Sequence, residues 1–427
     1  MIALMTLWHY WRARRLRFSS RQALERHQRR QLRRFARRVL AHSPYFRALR
    51  DLPFDQWPLM DKASMMAQFD QMNTAGLHVE ELLACARRAE ADRDFTPRVG
   101  RFSVGLSSGT SGRRGVFVVS PEEQQIWAGS MLAKALPDGL FAGERVALFL
   151  RADNNLYHSV DNRWLSLTFY DLFSPFDAQL SRLQAQAPTL IVAPAQVLRA
   201  LALAVLDGRL RLDVKKVISV AEVLEAQDRQ LLKSVFRDVG EVYQATEGFL
   251  AATCAHGTLH LNEAFVHIEP HWLDEERFIP VITDFTRRTQ PIVRYRLDDV
   301  LVRQSTPCPC GQHTLAIARI EGRHDDQLVL PDHQGRPQVV FADLCSRALA
   351  NALPLTCDYR LIQRSMTHLQ LIVDGTQADL EQARTALVAV FAQQGIATDR
   401  LDWQLTVQSV MPQFDRKRRR IVRQADA

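Results

Sequence analysis

No apolar run in this chain approaches the ~20 residues that a membrane-spanning helix needs. The first residues are not expected to be a secretory leader. In MIALMTLWHYWRARR the charge follows a short apolar lead, whereas a leader has the opposite order and a small-residue cleavage site. Both absences set the expectation of a cytoplasmic protein. Cysteine is scarce, six in 427 residues, which excludes a disulfide framework. There is no Gly-x-Ser-x-Gly and no lone cysteine with an evident histidine partner, so no covalent protein nucleophile stands out. Internal repeats, low-complexity linkers and recognisable nucleic-acid motifs are absent too.

Charge is present in excess and unevenly spread. The formal net charge is +8, and twelve arginines fall between Arg12 and Arg38. Leu32, Phe35, Val39 and Leu40 keep helical spacing among them, so residues 12–38 read as a basic amphipathic helix. Such a face suits anionic lipid, nucleic acid or an acidic carrier protein, and it is equally what a solvated helix face looks like. The helix is expected over 21–50, stopped near Pro44.

From residue 102 onward, short apolar runs alternate with helical patterns. Strands are expected at FSVGL, GVFVVS, RVALFL (145–150), TLIVAP (189–194), KKVISV (215–220) and EVYQA (241–245). Helices are expected over 121–135, near 163–172, over 195–207 and over 224–238. That alternation indicates an α/β fold. Residues 252–310 turn strand-rich, and residues after 322 read as a compact α+β unit of about a hundred residues. Residues 51–100 read as irregular, with short helices.

Four separated segments suit one chemistry. LSSGTSGRRGVFVVS (106–120) combines small hydroxyl residues, glycines and cations, a composition that lets backbone wrap a polyanion; a surface hairpin turn is the competing reading. EVYQATEG (241–248) brings a hydroxyl and a carboxylate to a strand end, where they can hold Mg²⁺ against a phosphate. DFTRRTQPIVRYRLDDV (284–300) ends in carboxylates suited to ribose hydroxyls. MPQFDRKRRR (411–420) carries Lys417, its only lysine.

In that order and spacing the chain resembles the adenylate-forming (AMP-binding) ligases, in their phenylacetate–CoA ligase-like branch. RVLAHSPYFRAL (38–49), PLMDKASMM (58–66), SVAEVL (219–224) and EGRHDD (321–326) extend the likeness over nearly the whole sequence. The resemblance implies a large N-terminal adenylate-forming domain with mixed sheets and helices, residues 1–322 with a basic helical lead over 1–50. A small mobile α+β domain, residues 323–427, would rotate about a hinge. It implies that Ser107, Ser108, Thr110, Ser111, Gly112 and Arg113 wrap the phosphates of ATP. Ala221 and Glu222 would border the adenine, and Tyr243 would lie against the adenylate. Thr246 belongs to the same element, and Glu247 would ligate Mg²⁺. Asp299 would bind the ribose, with Arg323 helping from the junction. Asp325 would be the hinge. Lys417 would bridge the acyl carboxylate and the α-phosphate.

The sequence departs from the family at three places. Arg113 stands where lysine is common, Asp298 where glycine precedes the ribose aspartate, and in the terminal motif Gln413 where arginine follows the proline and Arg416 where glycine precedes the lysine. Tyr157 and His158, in RADNNLYHSVDNRWLSLTFYDLF (151–173), are candidates for the substrate pocket. The activity implied is an acid–thiol ligase acting on an aryl or acyl carboxylic acid, with ATP and Mg²⁺ as cofactors and CoA or an acyl carrier protein as acceptor. Two alternatives stay open: adenylylation of a hydroxyl or cofactor, as in a relative that modifies a deazaflavin, and a silent nucleotide-binding protein.

Cys254, His260, Cys308 and Cys310 form a separate constellation. Three thiols and an imidazole suit a closed structural zinc site; reduced free thiols are the other reading.

Overall fold

A computed structural model of the chain describes residues 4–94, 96–106, 115–151, 164–323 and 327–424, with Arg323 described in its backbone alone. The strands Glu144–Leu150, Leu165–Asp171, Leu190–Ala193, Lys216–Ser219 and Val239–Ala245 are parallel neighbours. They form one half of a 12-stranded sheet. Successive side chains in a strand point to opposite faces, and that alternation divides the layers. Ala147, Phe149, Ile191, Ala193 and Val217 pack under the helices Phe176–Gln186, Ala195–Leu206 and Ala226–Val235. Val146, Leu148, Leu190, Val192 and Ile218 face the helix Pro121–Ala135. Burial on both faces explains the near-continuous apolar runs seen in the sequence.

The sheet continues antiparallel from Val239–Ala245 through Gly248–Thr253 and Leu259–Leu261 to Ala316–Arg323, and on to Asp299–Arg303, Arg277–Asp284 and Val266–Trp272. The segment expected to be helical near 163–172 is instead the strand Leu165–Asp171, paired along its length with Glu144–Leu150. Its β-branched and aromatic residues fit the pleat of an edge strand better than a helix. A second difference lies in residues 51–100, where Val79–Asp92 is a 14-residue helix. It buries Leu82, Ala86 and Ala89, a stripe too small-sided to stand out in the sequence.

The basic lead is two helices, not one. Leu4–Arg15 ends before Ser20, whose hydroxyl caps a second helix, Arg21–Arg38. The first lies on Pro121–Ala135 at Gly129, where an added Cβ would come within 2.6 Å of the Thr6 carbonyl. The backbones therefore touch. The second buries Leu32, Phe35 and Ala36 in the core beneath the antiparallel half-sheet.

After Leu328 the chain builds its own core. A four-stranded sheet runs in the order Asp402–Val407, His368–Asp374, Asp358–Gln363, Ile421–Arg423, covered by the helices Ala342–Ala352 and Gln377–Gln393.

Candidate active site

The carboxyl ends of parallel strands are where an open α/β sheet offers a binding crevice. Here a cleft of about 1100 Å³ opens there. Ala221, Glu222, Tyr243, Thr246, Glu247, Asp299 and Lys417, drawn from four separate segments, all line it. The Tyr243 hydroxyl donates to Asp299 Oδ2 at 2.6 Å, joining two segments 56 positions apart. Thr246 Oγ1 donates to Glu247 Oε2 at 2.9 Å, so hydroxyl and carboxylate sit together at the strand end. Ala221 holds φ +65°, a left-handed conformation uncommon for a residue with a Cβ. Such strain persists only where the surroundings impose it.

Glu222 is tied down more firmly than an adenine-side residue needs to be. It accepts hydrogen bonds from Arg151, from the backbone and side chain of Gln196, and from the Arg418 backbone. Gln196 also donates to the Arg416 carbonyl at 2.7 Å, and Arg151 to the Phe414 carbonyl at 3.1 Å. These bonds hold the terminal segment against the cleft with Lys417 at its wall.

Several expected residues lie outside the described ones: Ser107, Ser108, Thr110, Ser111, Gly112 and Arg113 of the phosphate loop, Tyr157 and His158, and Asp325. The strands flanking the loop pair antiparallel, with Leu106 opposite Val116. Arg323 ends its strand with its backbone opposite Asp299.

Three cleft residues carry no motif of their own. Arg287 donates to the Thr246 carbonyl at 2.8 Å and to the Val118 carbonyl at 3.3 Å, bridging the Thr-Glu turn and the strand that leaves the phosphate loop. The Tyr295 phenol is pushed far up by burial and by the Glu247 carboxylate it hydrogen-bonds. Asp284 is almost wholly buried. Burial pushes it up to about 6, against hydrogen bonds from Thr286 and the charge of Arg287, with Glu123 adding to the rise. Its Oδ2 lies where a side chain on Gly248 would begin, 2.6 Å from an ideal Cβ, so any side chain there would have to displace the Asp284 carboxylate. All three residues stand in or beside the expected ribose stretch, but nothing in that string separates Arg287 from Arg288.

The far wall of the cleft is apolar. Ile126, Trp127, Met131 and Leu132 of one helix face Leu148, Leu165 and Leu167 of the sheet. Ser130, on the same helix, is buried and its hydroxyl has no hydrogen-bond partner among the described residues.

Behind the cleft, a buried ion network joins the C-terminal core to the large sheet. Arg420, 1% exposed, donates to Asp358 at 2.6 Å, Glu225 at 2.8 Å and Asp228 at 2.9 Å. Arg199 donates to Asp228 at 3.1 Å and to the Leu355 and Thr356 carbonyls. Arg418 completes the ring around Asp228. Burial alone would raise the pKa of Asp228, but Arg418, Arg420 and Arg199 outweigh it and hold the carboxyl far below its usual range. Three guanidiniums face three carboxylates, so the network is neutral. The basic run at 416–420 is therefore no solvated tail at Arg418 and Arg420.

The cysteine constellation also comes together. Ligand atoms of Cys254, His260, Cys308 and Cys310 all lie within 4.8 Å of one another. The Cys254 and Cys308 sulfurs are 3.7 Å apart, and Cys310 Sγ is 3.2 Å from His260 Nε2. A tetrahedron with Zn–S bonds of about 2.3 Å has an edge of about 3.8 Å, so the sulfur pair has the spacing a zinc ion would impose. His260 Nδ1 meets Thr314 Oγ1 at 3.1 Å, which aims Nε2 at the thiols. Donor set and spacing fit zinc.

No protein-family profile matches the sequence, and no curated protein sequence matches it. Solved structures do. The chain superposes on 2-hydroxyisobutyryl-CoA ligase in the postadenylation state in complex with 2-HIB-AMP with a TM-score of 0.69 at 16% identity, covering 92% of this chain and 88% of that one. Against the same ligase in the thioesterification state, over the same coverage, the TM-score falls to 0.52. The GH3.15 acyl acid amido synthetase gives 0.54 at 13% identity, covering 86% of this chain and 83% of that one. The chain thus has the fold of adenylate-forming enzymes.

Proposed function

We propose that the chain is an ATP-dependent ligase that activates an apolar aryl or acyl carboxylic acid as its acyl-AMP and passes the acyl group to a thiol. The thiol would belong to CoA or an acyl carrier protein. The observation that carries this reading is the convergence of Tyr243, Thr246, Glu247, Asp299 and Lys417 on one cleft that has an apolar wall opposite them. Carboxylate attack on the α-phosphorus brings two anions together, so the site needs positive charge placed where negative charge develops. Lys417 sits on the segment held to the cleft by Arg151 and Gln196 and would meet both the carboxylate and the α-phosphate. Glu247 would hold Mg²⁺, which offsets phosphate charge when bound. Asp299, oriented by Tyr243, would accept from the ribose hydroxyls, and Ala221 would let the backbone pass close to the adenine. The phosphate loop at Ser107, Ser108, Thr110, Ser111, Gly112 and Arg113 completes the nucleotide site in this reading. The apolar wall, with the Ser130 hydroxyl set in it, would take the body of the acid.

In the same reading, residues 323–427 form the mobile domain, turning about Asp325 with help from Arg323. The neutral ion network would hold it in the adenylating arrangement until the acyl-AMP has formed. ATP–pyrophosphate exchange tests this, run against a panel of aryl, hydroxyaryl and medium-chain acids without thiol. Exchange that depends on one acid class is expected. ATP binding without exchange for any acid sinks the reading and leaves adenylylation of a hydroxyl. Cys254, His260, Cys308 and Cys310 would hold one structural zinc, fastening the 304–315 loop to the sheet. Protein purified without chelator should carry about one zinc per chain; metal-free folded protein overturns that assignment.

A further inference from the structure

The helix Leu4–Arg15 buries Thr6, His9, Tyr10 and Ala13 against Pro121–Ala135 and leaves its other face in solvent. That face is not polar. Leu4 is 80% exposed, Met5 50%, Trp8 53% and Trp11 40%. Their spacing of three and four places them in one stripe. The stripe continues off the helix: the Trp11 ring lies 6.5 Å from Phe141, and Phe141 lies 6.3 Å from Trp164, both rings half exposed. Six large apolar side chains thus form one contiguous exposed surface, and the touching backbones at Gly129 hold its helix rigidly. Large connected apolar surface on a soluble chain marks a docking site.

Arginine borders the stripe. The Arg12 guanidinium lies 5.4 Å over the Trp8 ring, and that of Arg15 lies 5.6 Å over Trp11. Arg12 is close enough to Arg34 to feel its charge. Arg34 belongs to seven exposed arginines, Arg26 to Arg38, that ring a shallow depression on the helix Arg21–Arg38. The helix has one carboxylate, Glu25, and it pairs with Arg21. Among the described residues no carboxylate lies within ion-pairing distance of any of the seven. Among the described residues their mutual repulsion goes uncompensated, which favours a polyanionic partner.

We propose that this face docks on an anionic lipid surface, with Trp8 and Trp11 entering the interface and the arginines of Arg21–Arg38 meeting lipid phosphates. Tryptophan favours the headgroup layer, where one side of the ring is apolar and the other is wet. Guanidiniums bind phosphate oxygens through two parallel hydrogen bonds. A nucleic acid would answer the arginines but leave Leu4, Met5 and Phe141 in water. A bilayer answers both features at once. The attachment is peripheral, since no helix among the described residues is long and apolar enough to cross a membrane. It stands whatever acid the cleft takes.

Flotation of the full chain with vesicles tests this, phosphatidylglycerol–phosphatidylcholine mixtures against phosphatidylcholine alone. The chain should float with the anionic vesicles only, less so as salt rises, and brominated lipids should quench its tryptophan fluorescence. Trp8→Ser with Trp11→Ser should abolish both signals without lowering the melting temperature. Arg29→Gln with Arg33→Gln should cut partitioning about 30-fold, from roughly 1 kcal/mol per basic residue. A chain that stays behind with every vesicle overturns the proposal. So does vesicle binding indifferent to the tryptophan substitutions, or single-stranded RNA that strips the chain from vesicles at lower concentration than it takes to saturate them.

Discussion

Arg418 and Arg420 lie in the interior with their charges matched by Asp228, Asp358 and Glu225, while Arg29 and Arg33 lie on the surface with theirs unmatched. In the sequence both groups look alike, as arginine runs in a basic chain. The difference comes from carboxylates distant in the chain, Glu225 and Asp228 nearly two hundred positions away and Asp358 62 positions from Arg420, which the fold carries to them. Around Asp228 the arginines hold two parts of the molecule together; on Arg21–Arg38 they face outward. Arginine count therefore indicates charge, and only the fold indicates whether that charge is spent inside or offered outside.

Removing the centre of the matched group should have the largest effect. Asp228→Ala leaves three buried guanidiniums short of a partner, and urea unfolding should show a loss of about 3–5 kcal/mol. Lys417→Ala comes next and separates neighbours in the chain. Lying next to Arg418 of the network but at the wall of the cleft, it should cost ATP–pyrophosphate exchange about 10²–10³-fold, near 3–4 kcal/mol, with the melting temperature kept. Unchanged exchange would mean that another cation meets the α-phosphate.

Asp284 sharpens the comparison from the other side, as a buried carboxylate that no arginine fork grips. Between its ordinary range near 4 and about 6, the folded chain holds a proton that the unfolded chain has released. Stability is therefore lost as pH rises through that window. Asp284→Asn should be the more stable protein at neutral pH, by up to about 3 kcal/mol, and the gap should narrow as pH falls toward 4.5. A gap independent of pH would show that Asp284 is charged throughout. The smallest effect belongs to the unmatched group: Arg29→Gln with Arg33→Gln should shift unfolding by less than about 0.5 kcal/mol.

Much of the fold was legible because the parallel strands are buried on both faces and read as short apolar runs between amphipathic helices. Leu165–Asp171 was misread because an edge strand of mixed burial carries neither a clean alternation nor a long run. In the site, short strings marked Thr246, Glu247, Asp299 and Lys417, since each string contains its own chemistry. Arg287, Tyr295 and Asp284 were not legible, because what they do depends on which carbonyl or carboxylate the sheet sets opposite them. The ion network was hidden for the same reason: nothing in the string around Lys417 points to Asp228, Asp358 or Glu225.

The neutrality of that network has a thermal consequence. Water solvates ions less favourably as temperature rises, so the cost of keeping six charged groups dry falls on warming. The junction between the two cores should then tighten with heat, while ordinary apolar contacts gain little. Turnover limited by opening that junction would rise with temperature less steeply than the chemistry it encloses.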